Sequence, residues 1–326
     1  MKKYSCAAAT KTGRRQNNQD NYMLAGRFAP LEHGHSADSC GGKTDKPFFA
    51  AVCDGMGGEA SGERASFEVC SVLADAAGGL GDSFEANKAA AGRAILRANE
   101  RICDIMRGGD TGRMGSTLTA VLLQDDRLYY TNLGDSRIYL LRKGKLYQLT
   151  KDHTEGQTMV DAGLLTAEQL KTHPSRNKLS LHLGIFPEEV ALEPAEYADL
   201  RLSDGDRFLL CSDGVYGALG EEELASVLGG SETAEERAEK LVDRAYANGS
   251  RDNMTALVID VSAARKLLLP IIIAVGIIAA AAAVLLIRLP GGKNRWESSP
   301  QKEPITLSPE ESAQPSETAS GDRGGE

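Results

Sequence analysis

The sequence predicts an α+β domain of antiparallel sheets packed with layers of helices. Short apolar or β-branched runs bounded by Gly and Asp recur at residues 48–53, 117–123, 128–132, 137–141, 208–211 and 254–261. Two helical stretches, residues 62–77 and 84–106, lie consecutively between the first two of those runs. Strands thus come in series with helices collected between them, where a doubly wound parallel fold would alternate strand and helix.

The helices rest on periodicity. In the second stretch Ala91, Ile95, Ala98, Ile102 and Ile105 recur at helical spacing. Residues 233–247 predict a further helix, and residues 152–184 predict two short amphipathic helices and a loop. Residues 26–47 predict a flexible strand-to-strand loop. His33, His35 and Cys40 lie in it, but no fourth ligand stands at zinc spacing. No internal repeat is present.

Composition bounds the class. The chain has 326 residues, 41% hydrophobic and 25% charged, enough for a globular core. Its net charge of -9, with no Lys/Arg run, excludes nucleic acid as an expected partner. The 6 cysteines (Cys6, Cys40, Cys53, Cys70, Cys103 and Cys211) form no CxxC pair. That pattern predicts reduced thiols in a cytosolic domain, not a disulfide framework.

Residues 267–287, LLLPIIIAVGIIAAAAAVLLI, carry no charge. At about 1.5 Å per residue the run spans roughly 30 Å, the thickness of a hydrocarbon core. A helix apolar on every face, followed by a mostly polar tail, predicts a membrane span over 267–289. Pro270 falls in the first turn, where its missing N–H does little harm. Basic residues flank both sides (Arg265 and Lys266, then Arg288, Lys293 and Arg295), so charge gives no orientation. The N-terminus shows no apolar signal segment. The expected arrangement is therefore single-pass in the cell membrane, with a domain over 1–262 in the cytoplasm. The tail, 290–326, has 4 basic and 7 acidic residues and predicts disorder.

The chemistry is carried by aspartates. Asp54, Asp135, Asp213 and Asp252 each sit at the end of an apolar run beside Gly or Asn, and Asp20 precedes the first apolar segment. Singly, each reads as a turn residue. Five at strand ends exceed what turns require. With no His/Cys cluster beside them, oxygen-only donors favour Mg²⁺ or Mn²⁺ over zinc.

Seven motifs stand in order: Arg15–Asp20 (R-x-x-N-x-D), Asp54–Gly58 (DGMGG), Gly115–Thr117 (GST), Gly134–Arg137 (GDSR), Asp152–Thr154 (DHT), Ser212–Gly214 (SDG) and Asp252–Thr255 (DNMT). The series resembles the bacterial branch of the type 2C (PPM-family) metal-dependent serine/threonine protein phosphatases, across residues 4–261. The resemblance implies an α-β-β-α sandwich with a two-metal centre of Mn²⁺ or Mg²⁺. It implies that Asp54 bridges both ions and that the Gly55 carbonyl binds one. Asp213 and Asp252 would complete the first site, Asp20 would lie near the second, and Asp135 with Asp213 would help hold a third, weaker ion. Arg15 would clamp the substrate phosphate, which suits a bidentate guanidinium. The implied reaction is in-line attack of a metal-bridging hydroxide on phosphoserine or phosphothreonine. Phosphorylated proteins are the implied substrates and a bacterial Ser/Thr kinase the implied opponent.

Departures from the family pattern are Gln19, where many eukaryotic members carry Glu, and Met56, where they carry a His proposed as the leaving-group acid. His153 and His173 are the alternative proton sources, weaker than solvent water. Cys53 and Cys211 lie beside expected ligands, but no C-x5-R loop follows either, so both read as buried strand residues. Residues 152–184 are expected to form a flap near the site. A degenerate, non-catalytic phosphoprotein-binding module is disfavoured because all five aspartates are present. A stress-response phosphatase acting on an anti-sigma-type regulator would share the chemistry, but no sensory domain is seen.

Overall fold

The computed structural model describes residues 2–58, 61–109, 112–192 and 198–263. All fall in one compact unit, Met1–Arg265. The apolar run at 267–287 and the polar tail lie outside the described residues. Among those described, no helix is long and apolar enough to cross a membrane.

Two antiparallel sheets stack face to face. The first contains β1 (Lys2–Lys11), β4 (His35–Lys43), β9 (Arg137–Arg142), β10 (Lys145–Gln148), β12 (Arg207–Cys211) and β13 (Met254–Ala263), in the order β10-β9-β12-β13-β1-β4. The second contains β2 (Asp20–Leu24), β3 (Arg27–Phe28), β5 (Phe48–Gly57), β7 (Leu118–Gln124), β8 (Arg127–Leu133) and β11 (Ala198–Arg201), ordered β11-β8-β7-β5-β2-β3. The short β6 (Met114–Ser116) pairs with the end of β5. Helices α1 (Ser61–Gly78) and α2 (Phe84–Arg107) cover the second sheet. Helices α5 (Asp213–Tyr216), α6 (Glu221–Gly229) and α7 (Ala234–Ala247) cover the first. Two short helices, α3 (Glu155–Asp161) and α4 (Ala167–Leu170), and a 3-10 turn at Pro174–Asn177 fill the connection after β10.

This layering explains the continuous apolar runs. A strand buried on both faces has no polar side to alternate with. On β5, Phe48, Ala50 and Val52 point between the sheets, while Phe49, Ala51 and Cys53 point at α1 and α2. Phe208 and Leu210 on β12 likewise face the inter-sheet core, with Leu209 and Cys211 facing the other helices. The six expected strands and the three long helices all form within one or two residues of the expected ends, except β5, which runs four residues past Cys53 to Gly57.

One expectation fails. Residues 26–47 are not a loop throughout, because they contain β3 and the nine-residue β4. Strand β4 reads HSADSCGGK and pairs along one side with β1. An edge strand this polar and small carries little hydrophobic signal, and β1 supplies the register it lacks.

Charged pairs fasten the sheet-helix seam. The Arg237 guanidinium on α7 is buried, and one nitrogen meets both Asp260 oxygens at 2.7 and 2.8 Å. Asp260→Ala is expected to strand that charge and cost about 3 kcal/mol, since the broken half of a buried pair has no water to turn to. Urea unfolding measures the loss, and an unchanged midpoint would refute it.

Candidate metal centre

The paired sheets open at one end onto a cavity of about 490 Å³. Arg15, Asp54, Gly55, Asp135, Asp213 and Asp252 all line it. They arrive from distant places: the loop after β1, the end of β5, the β8–β9 turn, the start of α5 and the loop before β13. Asp20 lies behind the wall, 1% exposed, on β2 directly opposite Asp54 on β5. Cross-strand neighbours share a face, so two acidic groups stand side by side in the interior.

Asp20 is held by hydroxyls from two further motifs. Its Oδ2 accepts from Ser212 Oγ at 2.6 Å and Thr255 Oγ1 at 2.7 Å. Its Oδ1 is buried with no hydrogen-bond partner among the described residues. A buried carboxylate oxygen left unpaired is costly unless a cation or proton serves it.

The electrostatics agree. Burial, then Asp20, Asp213, Asp135 and Asp252 in turn, push the Asp54 carboxyl well above the ordinary range. Burial raises Asp20 to about 7 despite its two hydroxyl donors. Burial and the neighbouring Asp213 raise Asp135 to about 7. Asp213 is lifted to about 6 by burial and Asp252, with Arg15 opposing. Each carboxylate is thus short of positive charge. Oxygen donors in this number suit a hard divalent cation. The carboxylates line the wall without closing on one point, and no cluster of three His, Cys, Asp or Glu among the described residues is in coordination geometry.

The glycine after two of these aspartates has a steric reason. A Cβ on Gly55 would sit 2.0 Å from the Gly62 carbonyl oxygen, and one on Gly214 would sit 1.9 Å from that of Asn253. Each Asp-Gly step lies flush against a second backbone, α1's start in one case and the loop before β13 in the other.

The remaining motif residues form the frame. Thr117 Oγ1 accepts from the Asp54 N–H at 2.9 Å and bonds Ser136 Oγ at 2.8 Å. Asn253 donates to the carbonyls of Thr12 and Asn17, both at 2.9 Å, and accepts from the Gln19 N–H, fixing the Arg15 loop. Arg137 makes two bonds to Asp152, at 2.9 and 2.7 Å, and stacks on Tyr216. The GDSR turn is thereby tied to the segment that borders the cavity. Arg15 reaches Asp252 at 2.7 Å and is more than half exposed, at the cavity mouth.

Neither His153 nor His173 lines the cavity. His153 is folded against Gly134, and His173 caps the 3-10 turn through Ser175. The ring at the wall is His182, beside Met56, with Nδ1 2.8 Å from the Leu183 carbonyl. Burial lowers its pKa. Nothing in the local sequence marks it; it arrives because Ser116 and Leu183 exchange backbone hydrogen bonds at 3.1 and 2.9 Å. The segment after β10 also contributes Asn177, Lys178 and Leu179 to the wall, which places the expected flap at the cavity.

A family model for protein phosphatase 2C matches residues 34–256. The chain belongs to the protein phosphatase 2C family. It is 40% identical over 217 residues to the serine/threonine protein phosphatase PstP of Mycobacterium tuberculosis, a match covering 65% of this chain and 40% of the relative. With the serine/threonine phosphatase stp of Listeria monocytogenes it shares 30% over 232 residues, 69% of this chain and 90% of that one. Among solved structures, the PstP catalytic domain in complex with 2 manganese ions is similar with a TM-score of 0.62 at 32% identity, over 80% of this chain and all of that one. The Streptococcus agalactiae serine/threonine phosphatase gives 0.65 at 26% identity, over 78% and 98%. The protein phosphatase 2C chain therefore spans the catalytic structures fully but under half of the mycobacterial relative's length.

Proposed function

We propose that this chain is a protein serine/threonine phosphatase that hydrolyses phosphoserine and phosphothreonine in proteins, using Mn²⁺ or Mg²⁺. The carrying observation is a cavity walled by four carboxylates from four separate segments, with the orphaned oxygen of Asp20 behind it. Asp54 and the Gly55 carbonyl, with Asp213 and Asp252, would hold two cations, and Asp135 with Asp213 a third. When bound, such ions acidify a coordinated water and draw charge from phosphoryl oxygens.

The chain's own residues do the rest. Arg15 at the mouth exchanges its bond to Asp252 for the phosphate oxygens of the substrate, a geometry its planar fork suits. Thr117 and Ser136 hold the Asp54 backbone, and Asn253 holds the Arg15 loop, so cation-binding and phosphate-binding groups keep a fixed separation. Burial lowers the His182 pKa and its Nδ1 is engaged by the Leu183 carbonyl, which favours solvent as the source of the leaving-group proton. The segment carrying Asn177 and Lys178 meets the residues around the phosphoamino acid and sorts substrates.

The uncharged run at 267–287 supports anchoring in the cell membrane, and the proposed phosphoprotein substrates favour the cytoplasmic side for the phosphatase domain. Tethering would raise its effective concentration toward membrane-bound substrates, among them those of an opposing Ser/Thr kinase. The test is direct. Purified full chain is expected to release phosphate from a phosphothreonine peptide with Mn²⁺ and to stop with EDTA. Folded protein that is inert at saturating Mn²⁺ would end the proposal.

A further inference from the structure

Cys6 on β1 and Cys40 on β4 are direct cross-strand partners. Their Sγ atoms are 3.0 Å apart. A disulfide needs about 2.05 Å, so closure takes roughly 1 Å of side-chain rotation on a pair whose backbone spacing is already that of neighbouring strands. The two sulfurs differ in their surroundings. Cys6 is 1% exposed, in the inter-sheet core, and its Sγ also bonds the Cys40 carbonyl at 3.2 Å. Cys40 is partly exposed, on the edge strand of its sheet.

Arg27 stands over this edge. It pairs with Asp38 at 2.8 Å and donates to the Ser39 carbonyl at 2.6 Å, the two residues before Cys40. The Cys6 S–H and then the Arg27 guanidinium hold the Cys40 thiol below its ordinary value, while the hydrogen bond to Cys40 raises Cys6. A partly exposed thiol beside a guanidinium on an edge strand, its pKa held down, belongs to the reactive class of cysteine. The other four, Cys53, Cys70, Cys103 and Cys211, are all buried, and the Cys70 thiol is hydrogen-bonded to that of Cys53. Burial without a path to solvent leaves thiols inert.

We infer that Cys6 and Cys40 form a peroxide-reactive dithiol, in which Cys40 is attacked first and Cys6 resolves it, fastening edge strand β4 to β1. The Cys40 thiolate attacks one oxygen of hydrogen peroxide, the O–O bond breaks, and the departing hydroxide takes a proton to become water. The Cys6 sulfur then attacks the Cys40 sulfenic sulfur. The S–O bond breaks, and the hydroxyl leaves as water with the Cys6 proton. Two thiols lose two electrons, and one peroxide becomes two waters. The bond closes a loop from residue 6 to residue 40, which restricts the unfolded chain.

The test treats the full chain with stoichiometric hydrogen peroxide, alkylates the remaining thiols after denaturation, and maps the peptides. Expected are a Cys6–Cys40 cross-link, four of the six cysteines alkylated, a Tm raised by about 5 °C, and reversal by dithiothreitol. Cys6→Ala should stop Cys40 at sulfenic acid, which dimedone traps. Cys40→Ser, a small change at the sheet edge, should abolish both the cross-link and the rise in Tm. Recovery of both residues as thiols, overoxidation of Cys40 with Cys6 still free, or pairing of either with another cysteine overturns the assignment. A cross-linked protein with unchanged Tm overturns the fastening.

Discussion

Asp54→Asn is expected to lower phosphothreonine hydrolysis by roughly 10³-fold or more, the scale lost when one preorganised electrostatic group leaves a site, while making the metal-free protein more stable. Both effects have one cause. Asp54 sits directly across from Asp20 and faces Asp135, Asp213 and Asp252, all without a cation of their own chain except Arg15 and more distant arginines. Its charge is what a divalent ion needs and what the fold resists. The amide keeps the shape and removes one member of the repulsive set. A gain on the order of 1–3 kcal/mol is expected, since one pH unit in a carboxyl's pKa corresponds to about 1.4 kcal/mol. Thermal unfolding in EDTA, read beside a phosphate-release assay, checks the two together. Loss of activity with loss of stability would mean that Asp54 is a structural residue; full activity would mean that the centre lies elsewhere.

The same tension explains what could be read from the sequence. Each aspartate at a strand end was visible because it interrupts an apolar run, and their order matched one family. The layers were legible wherever strands are buried on both faces, as in FFAAVC, because continuous apolarity needs no partner to be recognised. What stayed hidden depends on partners. Strand β4 is small and polar and exists by pairing with β1. His182 reaches the cavity through the Ser116–Leu183 backbone pairing, and Asp20's role rests on Ser212 and Thr255, nearly 200 and more than 200 residues away in the chain. The hydroxyls of the SDG and DNMT motifs stand beside the expected ligands, yet only the folded geometry shows that they hold a carboxylate of a different strand.

Metal-free protein is expected to lose stability as pH rises from about 4 to about 7, the reverse of ordinary acid denaturation. The sign follows from proton counts. Asp20 and Asp135 have folded pKa values of about 7 and Asp213 of about 6, against 3.8 for the unconstrained group. Between those limits the folded state binds more protons than the unfolded one, so the slope of unfolding free energy with pH is negative. The contribution is fully present below about pH 4 and is lost as pH climbs through 6 to 7. On the order of 3 kcal/mol is expected in total, because neighbouring carboxyls share protons and do not add independently. Mn²⁺ should act the other way. It binds ionised carboxylates, so it competes with protons below pH 6 and meets a ready set above 7. The rise in Tm on adding Mn²⁺ should therefore be larger at pH 7.5 than at pH 5.5, by several degrees. Calorimetry of EDTA-treated and Mn²⁺-loaded protein at both values checks this. Burial lowers the pKa of His33, His153 and His182, which works in the opposite direction, so the comparison is with Asp54→Asn. A metal-free Tm whose change from pH 5.5 to 7.5 is the same in both proteins would mean that these carboxylates are not mutually strained, and the electrostatic case for a cation among them would go with it.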